Sequence, residues 1–348
     1  MEDTEHIDIS RAIIIHDKRR TIMKRFLIYL PIVLALLFSS CNNGPKKNTT
    51  TMTSGTITLM CDNSFENILE QEIDVFEFQY PEAHILARYI PQKDAIDSLL
   101  EVKTRAIVIA RDLNESERKI LEKKKRQINS KMIAVDALAL IVNPQNTIEV
   151  ISRKEIGDIL TGKLTNWNDV EPSELGEIKV VFDDARSSTV EYMRDSLMNG
   201  KPFGNNVHAQ GSIEGVFKAV KEHKNAIGVI GVSWITTDMS YSEISTHDID
   251  NQENEENRVN LKDVEFDDSV KVLEVMGDTP IGYKPYQQYI YDGSYPLFRQ
   301  IYMIITSVPG TLEHGFYTFV TSPNGQKIIV KTGVMPAVYH KRIVELGE

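Results

Sequence analysis

Along most of the chain, short apolar runs alternate with segments in which apolar residues recur every three or four positions, which is the pattern of α/β structure. Residues 57–60 (Ile-Thr-Leu-Met) predict a strand. Ser64 is then placed to cap a helix whose Phe65, Ile68, Leu69, Ile73 and Phe76 keep helical spacing until Tyr80-Pro81 ends it. A strand over 85–89 and a short helix over 94–100 lead to 105–110, a continuous apolar run of the kind covered on both faces, which ends at Arg111. Asn114 predicts the start of a basic helix containing Lys123-Lys124-Lys125-Arg126. Strands follow over 131–135 and, beyond Asp136, over 137–142. Ser152 and Glu155 have capping-box spacing for a helix through Ile156, Ile159 and Leu160 that stops at Gly162. The buried-type strand 178–182 runs into Asp183-Asp184-Ala185-Arg186-Ser187-Ser188-Thr189, where Ser188 and Glu191 predict a second capping box for a helix through Met198. Later segments predict a helix over 213–221, strands over 226–232, 270–275 and 297–306, and helices near 312–320 and 326–331.

The N-terminus has a different logic. From Met23 the chain reads Met-Lys-Arg, an apolar run over 26–38, then Ser39-Ser40-Cys41, the layout of an export signal whose apolar run is too short to span a bilayer comfortably. A cysteine after two small residues, followed by the polar stretch 42–53, resembles the lipobox of a bacterial lipoprotein, with Cys41 as the lipidated mature terminus. A plain signal peptide or a short anchor helix is the alternative. Residues 1–22 carry charges that no signal needs, so the expected start is Met23, with 23–40 as signal peptide and 41–56 as flexible tether. The expected location is the membrane surface facing the periplasm or the exterior.

Composition narrows the function. With 348 residues, 41% of them hydrophobic, the chain is long enough for two packed domains. The net charge of −11 argues against a nucleic-acid partner, and the basic run 123–126 predicts a solvated helix face. The acidic stretch 240–268 predicts a solvated insertion. Two cysteines, Cys41 and Cys61, provide neither a disulfide framework nor a zinc cluster, and Cys61 is expected as a small buried hydrophobe. The eight histidines lack metal-ligand spacing, and Gly211-Ser212-Ile213-Glu214-Gly215 spaces its glycines wrongly for a nucleophile elbow. No metal, cofactor or catalytic residue is expected.

Candidate chemistry lies where strand ends meet helix N-termini, because unpaired first-turn amides and the positive end of the macrodipole attract anions. Two such junctions carry hydroxyls, at Ser64 and at Ser187-Ser188-Thr189. A third strand end presents Arg111, whose fork can grip two oxygens of an oxyanion. Each feature also has a plain structural reading, the serines as caps and Arg111 as a surface ion pair.

The order of the pieces adds a resemblance. Ser64-Phe65, Ala110-Arg111-Asp112-Leu113 with Glu117, the run Ala134 through Pro144 with Asp136-Ala137-Leu138-Ala139 at its centre, Thr161-Gly162-Lys163-Leu164-Thr165-Asn166-Trp167, Ser187-Ser188-Thr189 and Ala226-Ile227-Gly228-Val229 occur in one order. So do Tyr295-Pro296-Leu297, Gly325-Gln326-Lys327 and Gly333-Val334-Met335-Pro336. This order resembles the phosphate-binding proteins of phosphate ABC transporters over residues 57–336. The resemblance implies a type II periplasmic-binding fold, two α/β lobes joined by two crossovers, with 57–136 plus 290–348 as one lobe and 137–289 as the other. It implies a phosphate or similar oxyanion held by Ser64, Arg111, Asp136, Ser187 and Thr189, with Ser188 in the same turn and Asp136 as the acceptor of the phosphate's proton. It also implies an ABC transporter permease as partner.

The chain departs from that family in both anion loops. The usual Arg-x-Asp-Gly-Ser-Gly-Thr is here Asp183-Asp184-Ala185-Arg186-Ser187-Ser188-Thr189, so Arg186 is the candidate for the displaced arginine, and the first loop, Cys61-Asp62-Asn63-Ser64-Phe65, has no glycine. Glycine lets backbone amides approach an oxyanion closely, so its loss changes how the anion is held. The same fold serving as a ligand sensor or scaffold lipoprotein is the alternative function, and a hydrolase is a further one.

Overall fold

Continuous apolar runs need cover on both faces, and the helices between the strands provide it. The structure, a computed structural model, describes residues 50–236 and 266–338. The expectations for the start at Met23, the signal, Cys41, the first part of the tether and residues 240–265 of the acidic stretch lie outside the described residues.

Strand β1 (Gly55–Asp62) leads through a 3-10 turn (Asn63–Phe65) into α1 (Glu66–Gln79). β2 (Ala83–Ile90), α2 (Gln92–Leu100), β3 (Ala106–Ile109) and α3 (Glu115–Lys123) follow. β4 (Asn129–Val142) then runs for 14 residues. Next come β5 (Val150–Ser152), α4 (Arg153–Leu160), β6 (Lys179–Phe182), α5 (Ser188–Leu197), β7 (Val207–Ala209), α6 (Ile213–Glu222) and β8 (Ala226–Gly231). After the undescribed stretch lie β9 (Lys271–Val272), β10 (Glu274–Met276), β11 (Gly282–Tyr283), α7 (Gln287–Tyr291) and β12 (Phe298–Ile305). The described part closes with α8 (Leu312–Val320), α9 (Pro323–Lys331) and β13 (Met335–Pro336).

The main sheet has the order β2-β1-β3-β12-β4-β8-β6-β7. β1 pairs in parallel with β2 and β3, whereas β12 runs antiparallel to β3 and β4. β4 belongs to both halves of the sheet, since residues 129–137 pair with β12 and residues 138–142 pair with β8. Beyond it β8, β6 and β7 are mutually parallel. The parallel pairs on each side require helical crossovers, and these crossovers place two strand-to-helix loops, β1 to α1 and β6 to α5, on either side of β4.

Side-chain alternation explains the packing. In β3, Ile107 and Ile109 join Ala95, Ile96 and Leu99 of α2 and Leu121 of α3, while Ala106 and Val108 face the larger core. α1 packs Phe76 against Phe316 and Phe319 of α8, with ring centroids 5.3 and 5.2 Å apart. Cys61 is buried on β1, where burial and the neighbouring Asp62 and Glu70 push its thiol well above the usual value, so it is an inert core group. Among the described residues no helix is long and apolar enough to cross a membrane.

Four elements differ from the sequence expectation. The basic run expected on a helix face lies mostly beyond it, because α3 ends at Lys123 and Lys125 turns to φ 55°. The strands expected over 131–135 and 137–142 form one continuous β4, because Asp136 has Arg299 of β12 as its direct cross-strand neighbour and need not break the run. The strand expected over 270–275 changes partners at Leu273, with β9 on β4 and β10 on β5. The helix after β6 starts one residue early, because Ser187 is its N-cap and accepts from the Val190 amide. Both other capping devices, Asn114 with Glu117 and Ser152 with Glu155, form in full.

Candidate anion site at the crossing of two loops

The β1 to α1 loop and the β6 to α5 loop meet in the protein interior beside β4. Asp62 ends β1 wholly buried, and its side chain caps the following turn by accepting the Ser64 amide at 3.0 Å. The same oxygen, Oδ1, accepts the Ser188 hydroxyl at 2.8 Å, and Oδ2 accepts the Ser188 amide, the first residue of α5, at 3.3 Å. The Ser64 and Thr189 hydroxyls lie 3.3 Å apart and link the loops a second time. Because Asp62 performs the cap, the Ser64 hydroxyl expected in that role is free to reach Thr189. Because Ser187 caps α5, the Ser188 hydroxyl is free to reach Asp62.

A cation completes the cluster. Arg299 of β12 is only 3% exposed. Its Nε and Nη2 donate to Asp136 Oδ2 at 3.1 and 3.0 Å, and its Nη1 donates to the Ser188 and Thr189 hydroxyls at 2.6 and 3.2 Å. The guanidinium also sits 4.7 Å from the centre of the Phe65 ring, an apolar lid that strengthens its charged bonds. Arg299 therefore touches both halves of the sheet at once. Burial pushes the Asp136 carboxyl up, against the pull of Arg299, and burial likewise raises Asp183, which accepts the Ser187 hydroxyl at 2.7 Å. Asp136 thus bonds the guanidinium directly, and Asp62 reaches it through the Ser188 hydroxyl that both touch.

The two other arginines expected at the site are elsewhere. Arg111 forms a bidentate pair with Glu117, at 2.9 and 2.8 Å, and its side chain is 36% exposed. Glu117 is held there by its second task, accepting the Asn114 amide in the α3 capping box. Burial opposes its charge, but Arg111 and Asn114 together bring the Glu117 carboxyl below the ordinary glutamate value. Arg186 is 64% exposed and pairs with Asp94 across the sheet halves at 3.2 Å. Nearby, Gln92 of α2 donates to Glu191 of α5 at 2.8 Å, and Arg111 Nε approaches Glu191 at 3.9 Å. The cleft side is thus tied by polar contacts between α2 and α5, and the arginine inside the cluster is Arg299.

Arg299 was missed on sequence. The available signal was its phase, since in β12 the inward positions are Arg299, Ile301 and Met303, and a charged residue in an apolar phase calls for a buried partner. Asp62 carried no comparable signal. Among the described residues no group of three or more His, Cys, Asp or Glu is arranged to hold a metal ion. A surface groove of about 640 Å³ beside Lys179, Asn205, His208 and Asn225 is lined by none of the cluster residues.

The comparisons place the chain in a family and a fold. Residues 46–324 match the PBP superfamily domain. The phosphate-binding protein PstS of Pseudomonas aeruginosa is 22% identical over 315 residues, covering 84% of this chain and 88% of that protein. A solved Clostridium perfringens structure, described as a phosphate ABC transporter substrate-binding protein with bound phosphate, superposes with a TM-score of 0.63 at 20% identity, covering 82% of this chain and 100% of that one. An ABC-type phosphate transport receptor from Vibrio cholerae superposes with a TM-score of 0.58 at 20% identity, over 81% and 100% of the two chains. The fold is thus the mixed α/β periplasmic-binding fold, and the chain belongs to the PBP superfamily, a family of binding proteins rather than enzymes, with distant relatives among phosphate-binding proteins.

Proposed function

We propose that the protein binds phosphate between its two loops and delivers it to an ABC transporter permease, held at the membrane by lipid on Cys41. The observation that carries the reading is the meeting of Ser64, Ser188 and Thr189, from both halves of the sheet, around Arg299. Three hydroxyls, two N-terminal amides and a guanidinium form the donor set that a tetrahedral oxyanion needs when it leaves water. The phosphate-binding name of the Pseudomonas relative and the bound phosphate of the Clostridium structure support the ligand class.

In this reading the lobes are 57–136 with 290–348 and 137–289, and the chain crosses between them within β4 and again within α7. Ser64, Ser188, Thr189 and Arg299 face the anion. Asp136 fixes the Arg299 fork and is the acceptor that favours a protonated phosphate over sulfate, which has no proton to donate near neutral pH. Ser187 positions the α5 terminus, while Arg111 and Arg186 line the approach, with Arg111 largely neutralised by Glu117.

A second reading, a sensor or scaffold lipoprotein without transport, is favoured by one observation: the Asp62 carboxylate already engages the Ser64 and Ser188 donors. Equilibrium dialysis of the purified protein with labelled phosphate tests the phosphate site on which the transport reading depends. Saturable binding of one phosphate per chain, not displaced by equal sulfate, is the expected result. No binding up to millimolar phosphate overturns the transport reading in favour of the second.

A further inference from the structure

Three of the donors that an oxyanion would use at the loop crossing are already bonded to an anion from the chain itself. Asp62 accepts three bonds, from the Ser64 amide, the Ser188 amide and the Ser188 hydroxyl, with both carboxylate oxygens used. Two of those donors belong to α5 in one half of the sheet, and Asp62 belongs to β1 in the other. The carboxylate is wholly buried, and its oxygens are spaced like two oxygens of a tetrahedral anion. Nearby, Asp183 is wholly buried and keeps Oδ2 without a hydrogen-bond partner among the described residues, so a second buried carboxyl from the chain stands beside the same donors. A further anion therefore reaches the Ser64 and Ser188 donors only by displacing Asp62.

We infer that Asp62 is an internal ligand, a built-in anion that seats on the oxyanion donors and draws the two loops together in the absence of phosphate, so that phosphate binds only by displacing it. This inference rests on the phosphate reading above and specifies how the site is regulated. It gives the glycine-free first loop a purpose: an aspartate at residue 62 supplies a charge where a glycine would supply only space. The ligand-free protein is thereby pre-closed, and its affinity is set by the fraction of molecules in which Asp62 has left. If Asp62 is seated in about nine molecules of ten, the apparent phosphate affinity is lowered about ten-fold.

The test compares wild type with Asp62→Ala and Asp62→Asn. The backbone at residue 62 has φ −60° and ψ 133°, which any residue adopts, so neither substitution strains the turn. Inorganic phosphate binding is measured by equilibrium dialysis, and thermal unfolding is followed with and without phosphate. Asp62→Ala is expected to bind phosphate about ten-fold more tightly than wild type. Without phosphate it should unfold at a lower temperature, and phosphate should raise its transition further than that of wild type. Asp62→Asn, which keeps an acceptor but loses the charge, should gain less affinity, and it carries the test if the alanine variant does not fold. Wild-type phosphate affinity equal to or higher than that of both variants overturns the internal ligand and leaves the phosphate reading intact. Absence of phosphate binding in all three proteins overturns the phosphate reading, and the inference with it.

Discussion

At the residue scale, buried charges divide into those with partners and those without. Asp136 and Arg299 lie 163 positions apart in the sequence and are each other's principal partner. Removing one leaves the other charged and dry, so Asp136→Ala should cost about 3–5 kcal/mol of stability in chemical denaturation. A loss below about 1 kcal/mol, the range of exposed pairs, would contradict the buried-pair description. Glu72 on α1 is the opposite case. It is wholly buried, neither carboxyl oxygen has a hydrogen-bond partner among the described residues, and burial raises its carboxyl well above 4.5. The folded protein therefore holds this proton more tightly than the unfolded chain. Its contribution to stability is complete below the ordinary glutamate range and is lost as the pH rises towards the folded value. Glu72→Leu should accordingly stabilise the protein by about 1–3 kcal/mol at pH 7.5. The gain should shrink at pH 4, and equal gains at the two pH values would contradict it. The hydroxyls of Ser64, Ser188 and Thr189 were legible in the sequence, since polar residues at strand-to-helix junctions stand out locally. The partners Asp62 and Arg299 were not, because their roles depend on contacts between residues far apart along the chain.

At the scale of elements, local chemistry was the most readable. The Asn114 cap and the Ser152 box with Glu155 form where the sequence predicts them, because the groups involved lie within one turn. The cap of α5 was misplaced by one residue because Ser187 and Ser188 are both good caps, and the choice is made by Asp62, which takes the Ser188 hydroxyl. Gly228 marks a place where packing, invisible locally, sets the residue. A Cβ there would lie 2.7 Å from Val216 and 3.0 Å from Val220 of α6, and 2.9 Å from Ile141 of β4. Gly228→Ala should therefore destabilise the protein by about 1–3 kcal/mol through overpacking between β8, α6 and β4. A shift in the denaturation midpoint within error of wild type would contradict that close approach.

At the scale of the whole molecule, alternating periods disclosed α/β structure but not strand order, since neither the insertion of β12 between β3 and β4 nor the use of β4 by both halves leaves a periodic trace. The family resemblance supplied the fold class, and strand pairing supplies the reason the site lies where it does. β4 and β12 bring Asp136 and Arg299 to the junction of the two halves, and the crossover loops add hydroxyls from each side. The central claim is that the anion is held by this interior cluster rather than by the exposed arginines. Phosphate titration of wild type, Thr189→Val and Arg111→Ala tests it most directly. Thr189→Val keeps shape but removes a donor, at about 1 kcal/mol or roughly five-fold in affinity. The account predicts that loss for Thr189→Val and an affinity within about two-fold of wild type for Arg111→Ala, whose charge Glu117 already neutralises. The reverse order, a large loss for Arg111→Ala with Thr189→Val unchanged, would contradict it.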